Sequence, residues 1–227
     1  YETSGTWYAH ASVGCLHVRP ILNMKSNNDV IKMRAIAEEA FELVKKFDGS
    51  HSGEHGDGIS RSEFNPIMFG EKLTNAFREL KSLMDPYGIF NPGKIVDAPK
   101  MDDRHLFRFS PGYTASDFKT ELDWSTWTGS SNGFQGAVEM CNNNGACRKL
   151  KGGVMCPSFR ITGEEKDSTR GRANSLRLAM SGQLGPNAMT SPEMLETMKL
   201  CVSCKACKRE CPTLSLIHIS EPTRHHV

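Results

Sequence analysis

Residues 201–212 read CVSCKACKRECP, and their spacing decides what the second half of this chain is built around. Cys201, Cys204, Cys207 and Cys211 follow C-x2-C-x2-C-x3-C, with Pro212 after the last. Three thiolates two residues apart can wrap three corners of a cubane from one tight turn. The fourth, before the proline, points away and serves a second cluster. Tetrahedral zinc sites draw on separated C-x2-C pairs instead, so four cysteines this close suit zinc poorly. The stretch is expected to hold a 4Fe–4S cluster.

Working outward, seven of the eight cysteines follow Phe134. CNNNGAC places Cys141 and Cys147 with five residues between them, and Cys156–Pro157 comes after eight more. By the same crossed pattern, Cys156 completes the cluster of Cys201, Cys204 and Cys207, while Cys211 joins Cys141 and Cys147. The second set is then one thiolate short. A three-iron cluster, a non-cysteine ligand and an empty site all fit that shortfall. Cys15 stands alone beside an apolar residue and reads as a buried bystander. Paired disulfides are set aside, because C-x2-C clusters in intracellular proteins bind metal and no leader peptide is visible.

The bulk composition agrees with a soluble, globular chain. Of 227 residues, 38% are hydrophobic and 24% charged. The mean hydropathy is −0.45. No apolar run is long enough for a membrane span. A net charge of +2 gives no reason to invoke nucleic acid.

Residues 7–20 read as two short strands. Val30, Met33, Ala37, Ala40, Phe41 and Val44 recur at helical spacing, which predicts a helix over 28–47. Phe69, Leu73, Ala76, Phe77, Leu80 and Met84 predict another over 66–84, with Pro66 in its first turn. Both stripes are read as core faces. GSHSGEHGDG between the helices is loop, and DPYGIFNPGK is a string of turns. A short strand is expected at 105–109, and helices at 170–180 and 192–198. The class is α+β, with a mainly helical cysteine-bearing part. Residues 1–100 form one domain, 101–133 a linker and 134–213 the second domain. The tail is odd: LSLIHISEPTR, residues 214–224, is what a transposase-type sequencing adapter encodes. Residues 214–227, with His218, His225 and His226, are therefore excluded as an artefact. The chain is expected to be part of a longer protein, cut at both ends.

The first domain carries its own constellation. His10 and His17 flank a turn containing Gly14, and Glu54 and His55 sit in a glycine-rich loop where backbone can approach a ligand closely. Two imidazoles and a carboxylate suffice for a zinc-type site with an open position. Each histidine taken singly fits a surface or structural role better than a ligand role.

YAHASVGCLHVRP, GEHGDGISRSEF, DPYGIFNPGKI, CNNNGAC, MCPSFR, STRGRA and the cysteine run occur in one order over residues 1–213. Together they resemble the C-terminal part of flavin-linked D-2-hydroxy-acid dehydrogenases. More narrowly, they resemble the large bacterial proteins that fuse an FAD-linked oxidase module to a ferredoxin-like module, D-2-hydroxyglutarate dehydrogenases among them. The resemblance implies that His10, His17 and Glu54 ligate a divalent, zinc-like metal and that His55 contacts substrate and acts as base. It places Asn91, Gly93 and Lys94 near FAD, which an upstream domain would mainly hold. Where relatives read GHxGDGNLH, this chain has AHASVGCLH, so Ser12, Val13 and Cys15 replace Gly, Asp and Asn while both histidines keep their spacing. Arg19 stands where relatives often have a substrate-contacting Asn. It either pairs with a substrate carboxylate or is a surface arginine. The implied activity is oxidation of a small 2-hydroxy acid of D-2-hydroxyglutarate or D-lactate type, with electrons passing from FAD to iron and then to a quinone or electron carrier. The alternatives are a glycolate-type oxidase and a non-enzymatic electron-transfer module. The implied location is cytoplasmic, or peripheral at the inner membrane.

Overall fold

The computed structural model describes residues 1–114, 120–121, 123–125 and 133–213. The stretch read as adapter-derived, 214–227, lies outside them, as does part of the stretch read as a linker. Two units separate by their internal contacts, Tyr1–Gly112 and a second beginning at Tyr113.

The first unit opens with a β-hairpin. β1 (Gly5–His10) pairs antiparallel with β2 (Cys15–Pro20) in the register Thr6↔Arg19, Tyr8↔His17, His10↔Cys15. The connection is a 3-10 turn, Ala11–Val13, closed by Gly14 at φ 64°. Glycine suits that place because an L side chain resists the left-handed region. Opposed residues share a face, so the register puts Tyr8, His10, Cys15, His17 and Arg19 on one side. Trp7, Leu16 and Val18 lie on the other, and all three are exposed.

α1 (Asn27–Lys46) follows, with Ser26 at its N-cap and Asp29 in its first turn. It buries Val30 and Phe41, and Phe41 stacks on Phe64 at 5.1 Å. Arg34 fixes its outer side, reaching Glu38 at 2.9 Å, Glu63 at 2.7 Å and Asp102 at 2.6 Å. α2 (Gly58–Arg61) and α3 (Asn65–Phe69) are short, and α4 (Glu71–Met84) is the second long helix of the unit. The single helix expected over 66–84 is thus two. Gly70, at φ 81° and ψ 162°, breaks it, and its carbonyl accepts from Thr74 Oγ1 at 2.9 Å. The apolar stripe runs through the break, so periodicity does not reveal it; nor is the stripe the core face expected of it, since Leu73, Leu80 and Met84 are exposed and α4 buries Thr74 instead. The turns after α4 hang on Asp85, which accepts from Ile89 N at 2.8 Å, Phe90 N at 2.9 Å and Lys81 Nζ at 2.5 Å. No strand forms at 105–109. Arg104–Leu106 is a 3-10 turn, because the Asp103 side chain caps it by accepting from His105 N at 3.0 Å.

The second unit is helical: α5 (Gly133–Glu139), α6 (Pro157–Thr162), α7 (Thr169–Met180), α8 (Pro192–Lys199) and α9 (Ala206–Glu210). α7 is central, packing on α5 and α8, with Ala173 and Leu176 fully buried. Five cysteines belong to the same buried cluster as Phe134, Val138, Phe159 and Met180. The core is therefore assembled around the sulfur atoms themselves. Trp124 meets Phe134 edge-on at 5.1 Å, so part of the 101–133 stretch packs on this core. Among the described residues, no helix is long and apolar enough to cross a membrane.

Candidate functional site

The hairpin and the glycine-rich loop meet at one carboxylate. Glu54 Oε1 lies 2.7 Å from His17 Nε2 and 3.0 Å from His55 Nε2, and Oε2 lies 3.4 Å from His10 Nε2. The ligand atoms of His10, His17 and Glu54 all fall within 4.8 Å of one another. His17 is held in place by Tyr8, which stacks on it at 4.5 Å, with the Arg19 guanidinium 4.8 Å above the other ring. The loop comes this close because residue 53 is glycine: a Cβ there would stand 2.7 Å from Cys15 Sγ. Cys15 corrects the expectation of a buried bystander. It is half-buried, its sulfur lies 3.9 Å from His17 Nε2, and pairing with His10 carries it to the functional face.

Two imidazole nitrogens and a carboxylate oxygen suit zinc and similar divalent ions, whose bonds to them run near ~2.1 Å. Their 4.8 Å spread needs little closing to reach that geometry. His10 and His55 are exposed, so one side of the cluster is open to a ligand.

A second tier of polar residues holds the loop. Asn65 is fully buried and donates through Nδ2 to Asp57 Oδ2 at 3.3 Å and to the Ile95 carbonyl at 3.1 Å. Ile95 N donates back to Ser62 Oγ at 2.9 Å. The turn bearing Asn91, Gly93 and Lys94 is thereby stitched to the end of the GEHGDG loop. Asn91 and Gly93 both take left-handed backbone, at φ 46° and 71°. His51 lies under the loop, edge-on to Phe41 at 5.5 Å and 3.5 Å from Asp57. Burial pushes its pKa down, which favours the neutral imidazole. Asp57, Ser62, Asn65 and His51 escape the sequence reading because their partners lie 30 or more residues away or depend on burial.

The cysteines line two pockets. Cys156, Cys201, Cys204 and Cys207 line the first, with Met155, Pro157, Val202, Thr169 and Arg172. Cys141, Cys147 and Cys211 line the second, with Asn144, Gly145, Thr169 and Arg170. Among the described residues, the cysteines do not form a group with all ligand atoms within 4.8 Å. A single zinc, with Zn–S near ~2.3 Å, would hold its sulfurs within about 4 Å.

The start of α7 stands between the pockets, and this is the role of STRGRA. Ser168 caps the helix, its Oγ accepting from Gly171 N at 3.0 Å. Thr169 Oγ1 is 3.5 Å from Cys156 Sγ, and Arg170 N donates to Cys147 Sγ at 3.4 Å. Fully buried Arg172 donates to Cys156 Sγ at 3.6 Å, to the Thr197 carbonyl at 2.9 Å and to Ser158 Oγ at 3.1 Å, and lies 3.5 Å from buried Asp167. A buried cation and a helix N-terminus both favour anionic thiolates. Burial pushes the Cys147 thiol up, and the Arg170 N–H pulls it partly back. The approach of α7 needs Gly171, since a Cβ there would sit 2.0 Å from the Glu165 carbonyl. Across the unit, Glu210 accepts from Val154 N and Met155 N, both at 2.9 Å, tying α9 to the loop before Cys156.

Residues 1–95 match the family described as FAD linked oxidases, C-terminal domain, and residues 137–214 match the 4Fe-4S dicluster domain. The two matched stretches do not overlap and follow one another along the chain. This FAD-oxidase and iron–sulfur pairing bears out the resemblance read from the motifs, and with it the α+β class. The chain is 30% identical over 245 residues to the D-2-hydroxyglutarate dehydrogenase of Escherichia coli K12, covering 90% of this chain and 23% of that protein. It is 31% identical over 237 residues to the enzyme of the same name from Pseudomonas putida, with the same two shares. The glycolate oxidase subunit GlcD of Bacillus subtilis is 27% identical over 95 residues, 42% of this chain and 20% of that one. The chain thus spans about a quarter of the first two relatives' length. No solved structure matches it.

Proposed function

We propose that this chain supplies the substrate side and the electron exit of a flavin-dependent D-2-hydroxy-acid dehydrogenase, acting on an acid of the D-2-hydroxyglutarate or D-lactate type. The observation that carries the reading is the convergence of His10, His17 and His55 on one Glu54 carboxylate within an FAD-oxidase domain. His10, His17 and Glu54 would hold a divalent, zinc-like ion, which would supply Lewis-acid polarisation of the substrate hydroxyl. His55, at the open side, takes the hydroxyl proton, a transfer suited to imidazole near neutral pH. Arg19, two residues beyond His17 on the same face, pairs with a substrate carboxylate. Asn91, Gly93 and Lys94 face the flavin, held mainly by another domain. Cys156, Cys201, Cys204 and Cys207 would hold an iron–sulfur centre, which would supply a one-electron exit from FAD to a quinone or electron carrier. The setting is the cytoplasm or the inner-membrane surface.

The test is a turnover assay of the holoprotein on D-2-hydroxyglutarate, D-lactate and glycolate. Response to the first two, abolished by His55→Ala, is expected. Response to none removes the class. Turnover untouched by His55→Ala removes the base and favours a purely electron-carrying module.

A further inference from the structure

The two cysteine loops repeat each other. Cys201, Cys204 and Cys207 stand three residues apart, and so do Cys141, Asn144 and Cys147. The backbone repeats as well. Both neighbours of Cys204 are left-handed, Ser203 at φ 52° and Lys205 at φ 56°, and so are both neighbours of Asn144, Asn143 at φ 63° and Gly145 at φ 77°. Each loop then enters a helical turn through its left-handed residue, Lys205 before α9 and Gly145 before the 3-10 turn Ala146–Arg148. Burial follows the same order: Cys204 and Asn144 are exposed, Cys207 and Cys147 buried. Asn144 therefore takes the place of the middle cysteine, and it lines the second pocket beside Cys141, Cys147 and Cys211. Its side chain is committed to its own loop. Oδ1 accepts from Ala146 N at 2.8 Å, and Nδ2 donates to Asn142 Oδ1 at 2.6 Å.

We infer that the second pocket takes an iron–sulfur cluster held by three thiolates, Cys141, Cys147 and Cys211, whose fourth iron lies at Asn144 on the exposed side and is labile. Iron in such a cluster is held by soft thiolate, and an amide oxygen already engaged with backbone is a poor substitute. A one-electron oxidant then opens the cluster. The [4Fe–4S]2+ core gives [3Fe–4S]+, one Fe2+ and one electron, and the oxidant takes up the electron. The first pocket, with four thiolates, keeps its iron. This inference concerns the second pocket alone and does not depend on which acid is oxidised.

The chain is reconstituted anaerobically with ferrous iron and sulfide, then treated with ferricyanide. Iron is counted, and low-temperature EPR is recorded. The expected count is about eight irons per chain before oxidation and about seven after, with about one spin per chain in the three-iron signal. Asn144→Cys supplies the missing thiolate and removes both the signal and the iron release. Cys204→Asn copies the opening into the first pocket, so about two irons leave. Should Asn144→Cys fail to load, the wild-type count and signal decide alone. Four irons before oxidation, eight irons with no release, or release that persists in loaded Asn144→Cys would each overturn the proposal.

Discussion

His10 and His55 leave 54% and 62% of their side chains exposed, whereas Cys147, Cys156 and Cys207 are buried in the central core of their unit. The first site is a rim, where a hairpin face and a loop meet at one carboxylate. The second site is the core, and an iron–sulfur centre there substitutes for apolar filling. The contrast teaches that a site built into a core ties occupancy to folding, whereas a site on a rim leaves the two separable.

The sharpest way to break that contrast is at His55. His55→Ala is expected to cut turnover of the holoprotein by about 10²–10⁴-fold while leaving iron content and the cluster spectrum unchanged. Steady-state kinetics beside an iron assay reads both, and a loss of iron would mean that the two sites are not separable in this way. Next is Arg172→Met. It strands buried Asp167 and the Thr197 carbonyl, and is expected to destabilise the second unit by about 3–5 kcal/mol in anaerobic urea unfolding. Divalent-metal binding at the hairpin should be unaffected. Gly171→Ala forces a Cβ onto the Glu165 carbonyl and is expected to cost about 1–3 kcal/mol in the same assay, since α7 must back away from the pockets.

The smallest effect is one of pH. Donation by Met155 N and Val154 N holds the Glu210 carboxyl below its ordinary value of 4.5. A carboxyl depressed by folding contributes stability above that ordinary value and loses it as pH falls through the folded value. Glu210→Gln should therefore lower the urea midpoint of the chain at neutral pH, and the gap to wild type should close as the pH falls through the depressed value of the Glu210 carboxyl. A gap that widens on acidification would contradict the assignment.

The sequence is legible where covalent or periodic rules act. The spacing of Cys201, Cys204, Cys207 and Cys211 shows a cluster because the geometry of iron and sulfide dictates it. The period of Val30 to Val44 shows α1 to within one residue at each end. Gly70 is hidden because the apolar stripe continues across it. Thr169, Arg170 and Arg172 are hidden because their role depends on where Cys147 and Cys156 arrive in space. Cys15 misleads, since only the fold brings the loop at Gly53 against its sulfur. Asn144 lies between readable and hidden: its register with Cys141 and Cys147 is in the sequence, but only the matching left-handed backbone of the two loops shows that it stands where the other loop has Cys204.

The central claim is that electrons taken from a hydroxy acid beside His55 arrive at iron bound by Cys156, Cys201, Cys204 and Cys207. Anaerobic rapid mixing of the holoprotein with D-2-hydroxyglutarate, followed by freeze-quench EPR, tests it most directly. The account predicts that the four-iron signal of the reduced first cluster appears within one turnover in wild type and is absent in His55→Ala. Flavin bleaching with the iron left oxidised would contradict it.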